Sequence, residues 1–262
     1  LQYKAGFSLE TDTSVDGKEG TYLTIGNGST SVTFGHDKFQ GLDGTVTPKV
    51  SIAADSLDPN SSNVISYVDQ AGVDATEDLG FGLTQKLGDV GTAAIWYARD
   101  ASVGQANGND GYKASGDNSA IEYSFKGNMG VDGLTVLAGK STNEKTAAET
   151  EDTEGTNIGA SYNFGQFAVG ATKIDNTASD GTDTDSKEYG VTFAANDQLS
   201  IGLMFIETDV EGTNNDEEIQ MLQIGYNMGG VSTSLNYAMV EDAGGVSGTD
   251  YDFINLRLKT SF

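Results

Sequence analysis

Cysteine is absent from this 262-residue chain. Its absence removes disulfides, thiolate metal sites and a thiol nucleophile together. Histidine and tryptophan occur once each, and proline twice. Positive charge is scarce: Lys plus Arg number 14 against 39 Asp plus Glu, for a formal charge of −25. Such a surface repels phosphate, and no Lys/Arg cluster offsets it, so nucleic acid is excluded as a partner. No run of about 18 apolar residues occurs, which excludes helical membrane spans. No leader is visible either, because Leu1-Gln2-Tyr3-Lys4 already reads as strand.

What the chain does contain is glycine (35 residues), tyrosine (11) and phenylalanine (11), within an apolar fraction of only 37%. The aromatics, Val and Ile are nevertheless too many for a disordered chain. Few apolar residues, many glycines and well-spread aromatics suit a barrel with a polar interior.

Apolar residues recur at every second position, the strand period. Ile158, Ala160, Tyr162 and Phe164 alternate with Asn157, Gly159, Ser161 and Asn163. Tyr189, Val191 and Phe193 alternate with Glu188, Gly190 and Thr192. Leu222, Ile224, Tyr226 and Met228 alternate with Gln223, Gly225 and Asn227. One face is mostly apolar and the other small and polar. Tight Gly/Asn/Asp turns near residues 26–30, 86–90, 126–131, 164–166, 195–198 and 228–230 mark hairpins. Between the hairpins lie longer acidic segments, 11–19, 100–118, 141–155, 175–185, 208–217 and 241–249. Short turns at one end and long polar loops at the other are the layout of a transmembrane antiparallel up-and-down β-barrel.

About fourteen strands are expected, including 1–10, 20–26, 78–86, 118–126, 156–164, 166–174, 187–195, 198–207 and 250–262, within one β-barrel domain spanning 1–262. Segment 36–77 breaks the rhythm. It is long, carries both prolines (Pro48, Pro59) and holds one strand-like stretch, Asn63–Val68. A loop of that length in a compact domain usually has a function.

Several stretches resemble a known family. The ending Asp252-Phe-Ile-Asn-Leu-Arg-Leu-Lys-Thr-Ser-Phe262 resembles the C-terminal strand of bacterial outer-membrane proteins. Leu1–Glu10, then Gly20-Thr-Tyr-Leu-Thr-Ile-Gly26, then Ser31-Val-Thr-Phe-Gly-His-Asp37 resembles strands three to five of the Rhodobacter-type general porins. The resemblance implies a homotrimeric outer-membrane channel for passive diffusion of ions and small hydrophilic solutes, in contact with lipid and lipopolysaccharide. It also implies a sixteen-stranded barrel, with two N-terminal strands and the signal peptide outside this chain. The third loop, here 36–77, would fold into the lumen and narrow the pore.

Strand parity supplies candidate pore residues. Ile254, Leu256, Leu258 and Phe262 share one face of the last strand, leaving Arg257 and Lys259 for the lumen. In the first strand Tyr3, Ala5 and Phe7 face lipid and Lys4 faces inward. Lys4, Arg257 and Lys259 are therefore the expected basic wall. Opposite it, the porin resemblance places loop carboxylates, for which Asp37, Asp43, Asp55 and Asp58 are the candidates.

His36 beside Asp37 has no second histidine and no nucleophile motif with it, so an enzyme is not expected. No cofactor is required. Calcium is a candidate ligand of the acidic external loops, such as Glu149–Glu154 and Asp180–Asp185, although no EF-hand or nonapeptide repeat occurs there. The alternative reading is a secreted, acidic, soluble β-protein, an adhesin or surface-layer module, with its apolar face packed between two sheets.

Overall fold

The structure is a computed structural model that describes residues 2–6, 22–35, 46–50, 80–98, 119–144, 151–178 and 180–260. Its strands are β1 (Gln2–Gly6), β2 (Tyr22–Gly26), β3 (Thr30–Gly35), β4 (Gly80–Lys86), β5 (Thr92–Ala98), β6 (Ala120–Gly127), β7 (Leu134–Asn143), β8 (Thr153–Phe164), β9 (Phe167–Thr177), β10 (Asp183–Ala194), β11 (Leu199–Val210), β12 (Glu217–Asn227), β13 (Val231–Glu241) and β14 (Tyr251–Thr260). They form one antiparallel, 14-stranded sheet in strict sequence order. Only the short turns 27–29, 87–91, 128–133, 165–166, 195–198 and 228–230 join strands at one end. Every other connection leaves from the opposite end, including the compact 178–182 and 211–216. The expected separation of turns from loops is what the sheet shows.

Asparagine builds most of the short turns. Asn27 Oδ1 accepts the backbone N–H groups of Ser29 (3.1 Å) and Thr30 (2.9 Å), and Asn196 Oδ1 does the same for Gln198 (2.8 Å) and Leu199 (2.9 Å). Asn128 and Asn227 each accept one N–H, from Gly130 and Gly229. A side-chain oxygen that caps its own turn two residues on favours the reversal before the strands pair. Gly229 sits at φ +88°, where a side chain would be strained.

Facing follows the predicted period of two, and the apolar face is the bare one. Ile254, Leu256 and Leu258 on β14 are 70%, 74% and 64% exposed. Ile158, Val169, Tyr189, Leu203 and Phe205 lie on the same side of their strands and are also exposed. Near the short turns this face carries a run of rings, Tyr162, Phe164, Phe167 and Phe193, with successive centroids 6.2, 5.7 and 4.7 Å apart. Aromatic girdles of this kind mark the edge of a membrane-facing band.

The opposite face is covered. Asn157, Asn236, Ser141, Ser186 and Thr208 are buried there, beside an apolar cluster of Met204, Ile206, Ile219, Met221, Ala238 and Val240. A sandwich would bury the apolar face instead, so the sidedness runs against a soluble protein.

The strands run further toward the long connections than the apolar pattern indicates. β8 begins at Thr153 rather than 156, β9 ends at Thr177 rather than 174, β10 begins at Asp183 rather than 187, and β11 ends at Val210 rather than 207. Segments read as acidic loop are partly paired strand. Ladder hydrogen bonds do not depend on side-chain polarity, and lysines offset the extra carboxylates on the outward face. Lys140 binds Glu154 at 2.9 Å, Lys187 binds Glu207 directly opposite at 2.8 Å, and Lys173 binds Asp175 at 2.6 Å and Asp185 at 3.3 Å. Lys173 and Lys187 are themselves register partners, so these carboxylates also relieve a like-charge pair. All these side chains are 42–50% exposed, so each pair contributes at most about 1 kcal/mol.

Leu203→Arg places a charge on the bare face of β11 and should destabilise the protein in lipid vesicles by about 2–4 kcal/mol in urea unfolding. Ser200→Arg, on the other face of the same strand near its turn, should cost less than about 1 kcal/mol. Equal costs for the two would refute the sidedness.

Candidate functional site

Residues 46–50 cross the covered face of the sheet. The Val46 N–H donates to Thr172 Oγ1 on β9 at 3.2 Å, and the Thr47 and Thr172 hydroxyls are 2.9 Å apart. The Val50 N–H donates to Gln223 Oε1 on β12 at 2.9 Å. Val46, Thr47 and Val50 are all buried. The segment thus passes from β8 and β9 over to β11 and β12.

Glycines make the room. A Cβ at Gly159 on β8 would lie 2.6 Å from Val46 Cγ2, and one at Gly190 on β10 would lie 2.5 Å from the Pro48 carbonyl oxygen. At Gly202 on β11 it would lie 3.2 Å from Val50 Cγ2. Three strands of this wall, β8, β10 and β11, therefore present glycine where a crossing chain touches them, with Thr172 on the intervening β9 and Gln223 on β12 as hydrogen-bonding clamps. Buried backbone N–H groups need such partners, because water is excluded from beneath the segment. Sequence reading did not find this seat, since its members lie far apart in the chain and meet only through the strand register.

Two of the predicted basic residues, Arg257 and Lys259, fall on the same inner face. Arg257 pairs in register with buried Ser234, and Lys259 with Ser232, on the side opposite Ile254, Leu256 and Leu258. Lys4 is opposite Thr24 in register, which continues through Thr33 and Gly82 to buried Trp96. The loop candidates Asp37, Asp43, Asp55 and Asp58 lie outside the described residues, as do His36 and the stretch 63–68.

Two inward cations escaped the sequence reading. Lys86 is opposite Thr92, which is opposite Lys126, and both lysines share the side of Gly82, Trp96 and Glu122. Parity alone places them, since Phe81, Leu83 and Tyr123 are exposed on the other face. Lys49 adds a charge on the crossing segment itself, half-buried between Pro48 and Val50. Inward carboxyls are Glu122, Glu188 and Glu217, all buried, and Glu217 Oε2 accepts the Gly244 N–H at 2.8 Å.

The acidic connections show no built metal site: among the described residues no group of three His, Asp or Glu side chains converges. In the β9–β10 connection, the Thr182 N–H donates to Asp180 Oδ1 at 2.9 Å, and this bond holds the Asp180 carboxyl below its usual range.

A one-layer sheet, bare and apolar outside and polar inside with a chain segment across its inner face, is a channel wall. The family profile described as Gram-negative porin matches residues 1–245. This chain belongs to that family. The porin therefore resides in the outer membrane and forms a water-filled channel for passive diffusion of ions and small hydrophilic solutes. No curated protein sequence matches it significantly.

Among solved structures, the anion-selective porin from Comamonas acidovorans is similar, with a TM-score of 0.63 and 14% identity over 94% of this chain and 79% of that one. A porin refined at 1.8 Å resolution is 18% identical with a TM-score of 0.59, covering 92% and 81%. The outer-membrane channel DcaP of Acinetobacter baumannii gives a TM-score of 0.55 and 12% identity, covering 93% and 85%. At these identities the likeness is one of fold.

The seat yields a direct check in a chain without cysteine. Thr47→Cys with Thr172→Cys should oxidise spontaneously to an intramolecular disulfide, seen as a mass loss of about 2 Da and a gel shift. A pair that stays reduced in the folded protein would show that the segment does not rest there.

Proposed function

We propose that the sheet closes into a sixteen-stranded barrel and that segment 36–77 forms its constriction. A spanning sheet with open edges would leave backbone groups unpaired in hydrocarbon, which supports closure. The observation that carries the constriction reading is the seat of residues 46–50 on β8–β12. With the segment on that wall, water passes along the opposite wall, where Lys4, Arg257 and Lys259 line one side. Asp37, Asp43, Asp55 and Asp58 supply the facing carboxylates. Opposed charges across the narrowest point set up a transverse field that orients dipolar solutes and disfavours apolar ones.

Three porin barrels associate through the walls that include β1, β2 and β3, and the remaining aromatic faces meet lipid and lipopolysaccharide. Calcium bridges the acidic external loops to one another or to lipopolysaccharide phosphate. The channel carries out no covalent chemistry.

Deleting residues 44–60 should raise single-channel conductance about twofold or more while leaving a folded trimer. Neutralising Asp43 together with Asp55 should shift the reversal potential in a salt gradient toward anions. Unchanged conductance in the deletion would remove the loop, and its carboxylates, from the pore.

A further inference from the structure

The charged residues of the inner wall are sorted along the strands. Lys86 is the last residue of β4, Lys126 the last but one of β6, and Arg257 and Lys259 fall within the final four positions of β14. All four stand at the short-turn end of the inward face. Lys86, Lys126 and Lys259 are exposed there and Arg257 is half-buried. The inward carboxyls stand elsewhere. Glu217 is the first residue of β12 and Glu122 the third of β6, both counted from the long-connection end, while Glu188 lies at mid-strand in β10.

Past the long-connection end come Glu151, Asp180, Glu211, Asp216, Asp242 and Asp250. Among the described residues of the β7–β8, β9–β10, β11–β12 and β13–β14 connections there is no lysine or arginine, and Lys49 in the β3–β4 connection is the exception. At the other end Asp89, Asp132 and Asp197 belong to the turns, outside the ladder and off the inward face of the strands. The wall is therefore basic toward one mouth and acidic toward the other.

The distance between the two groups matters. β10 is 12 residues long, about 40 Å at about 3.3 Å per residue, or about 28 Å along the axis at a tilt near 45°. The Debye length is about 10 Å at 0.1 M salt. Glu122 and Lys126 stand only four residues apart on β6, about 13 Å, but the carboxylates past the long-connection ends lie well beyond a Debye length from the basic mouth, so each end sets its own local ion concentration.

We infer that this pore is charged in two opposite zones along its axis, with Lys86, Lys126, Arg257 and Lys259 forming an anion-attracting mouth at the short-turn end, and that it rectifies ionic current. The inference rests on the channel reading. With the long-connection side positive, cations enter through the acidic zone and anions through the basic zone, and both accumulate between them. Reversing the voltage drains both from the middle. Conductance is then higher with the long-connection side positive, and small anionic solutes are concentrated at the short-turn mouth.

The experiment is single-channel recording of the whole protein in planar bilayers. An Asp180→Cys variant fixes the orientation of each insertion, because an impermeant charged thiol reagent alters the current only from the long-connection side. In about 0.1 M KCl the current at equal and opposite voltages should differ by about 1.5-fold or more. In about 1 M KCl, where the Debye length is about 3 Å, the difference should vanish. The variant carrying K86Q, K126Q, R257Q and K259Q should approach a linear current–voltage curve and shift the reversal potential toward cations. The K86Q and K126Q single variants should each show part of that change, whether or not the fourfold variant folds.

Open channels with a linear curve at low salt, or rectification of the opposite sign, would overturn the inference and leave the channel function standing. Equal rectification in the wild type and in both single variants would overturn the assignment to these lysines. Folded protein that opens no channel at all would overturn the proposed function instead.

Discussion

Backbone pairing between consecutive strands is the constraint on which the rest depends. Each strand from β2 to β13 pairs its N–H and C=O groups with both neighbours, and none of the described residues stacks on the outer face of the sheet. A single layer of this kind has one side to offer to hydrocarbon and one to water. Alternation assigns the side chains, and exposed Ile254, Leu256 and Leu258 show which side is which. Hydrophobic stabilisation then comes from the surrounding lipid instead of a core packed between two layers.

The same constraint accounts for the inner face. A polar wall tolerates a crossing chain only where backbone can approach backbone and buried N–H groups find acceptors. Gly159, Gly190 and Gly202 provide the approach, and Thr172 and Gln223 accept from Val46 and Val50. The segment covers β8 to β12 and leaves the exposed cations of β4, β6 and β14 on a different part of the wall. Fold, constriction and charge are linked through one register.

Much of this was legible in the sequence because a period of two is a strong signal. Strand number and order, the turn positions and the inward parity of Arg257 and Lys259 all follow from it. Lys86 and Lys126 were legible on the same grounds, but they sit at strand ends where an alternating run offers few neighbours for support. The ends beside the long connections were misjudged at Thr153, Thr177, Asp183 and Val210, where charge pairs replace apolar residues and the apolar pattern stops before the ladder does. The seat of residues 46–50 was beyond sequence reading. Glycines 159, 190 and 202 look like ordinary strand glycines until the sheet order places their strands under one crossing segment.

The central claim is that this sheet is apolar toward lipid and polar toward water. Single cysteines introduced one at a time at positions 253 to 258 of β14 test it in reconstituted vesicles. The account predicts strict alternation: positions 254, 256 and 258 react with a lipid-phase probe, and 253, 255 and 257 with a water-soluble one. Uniform reactivity along the strand, or alternation of the opposite parity, would contradict it.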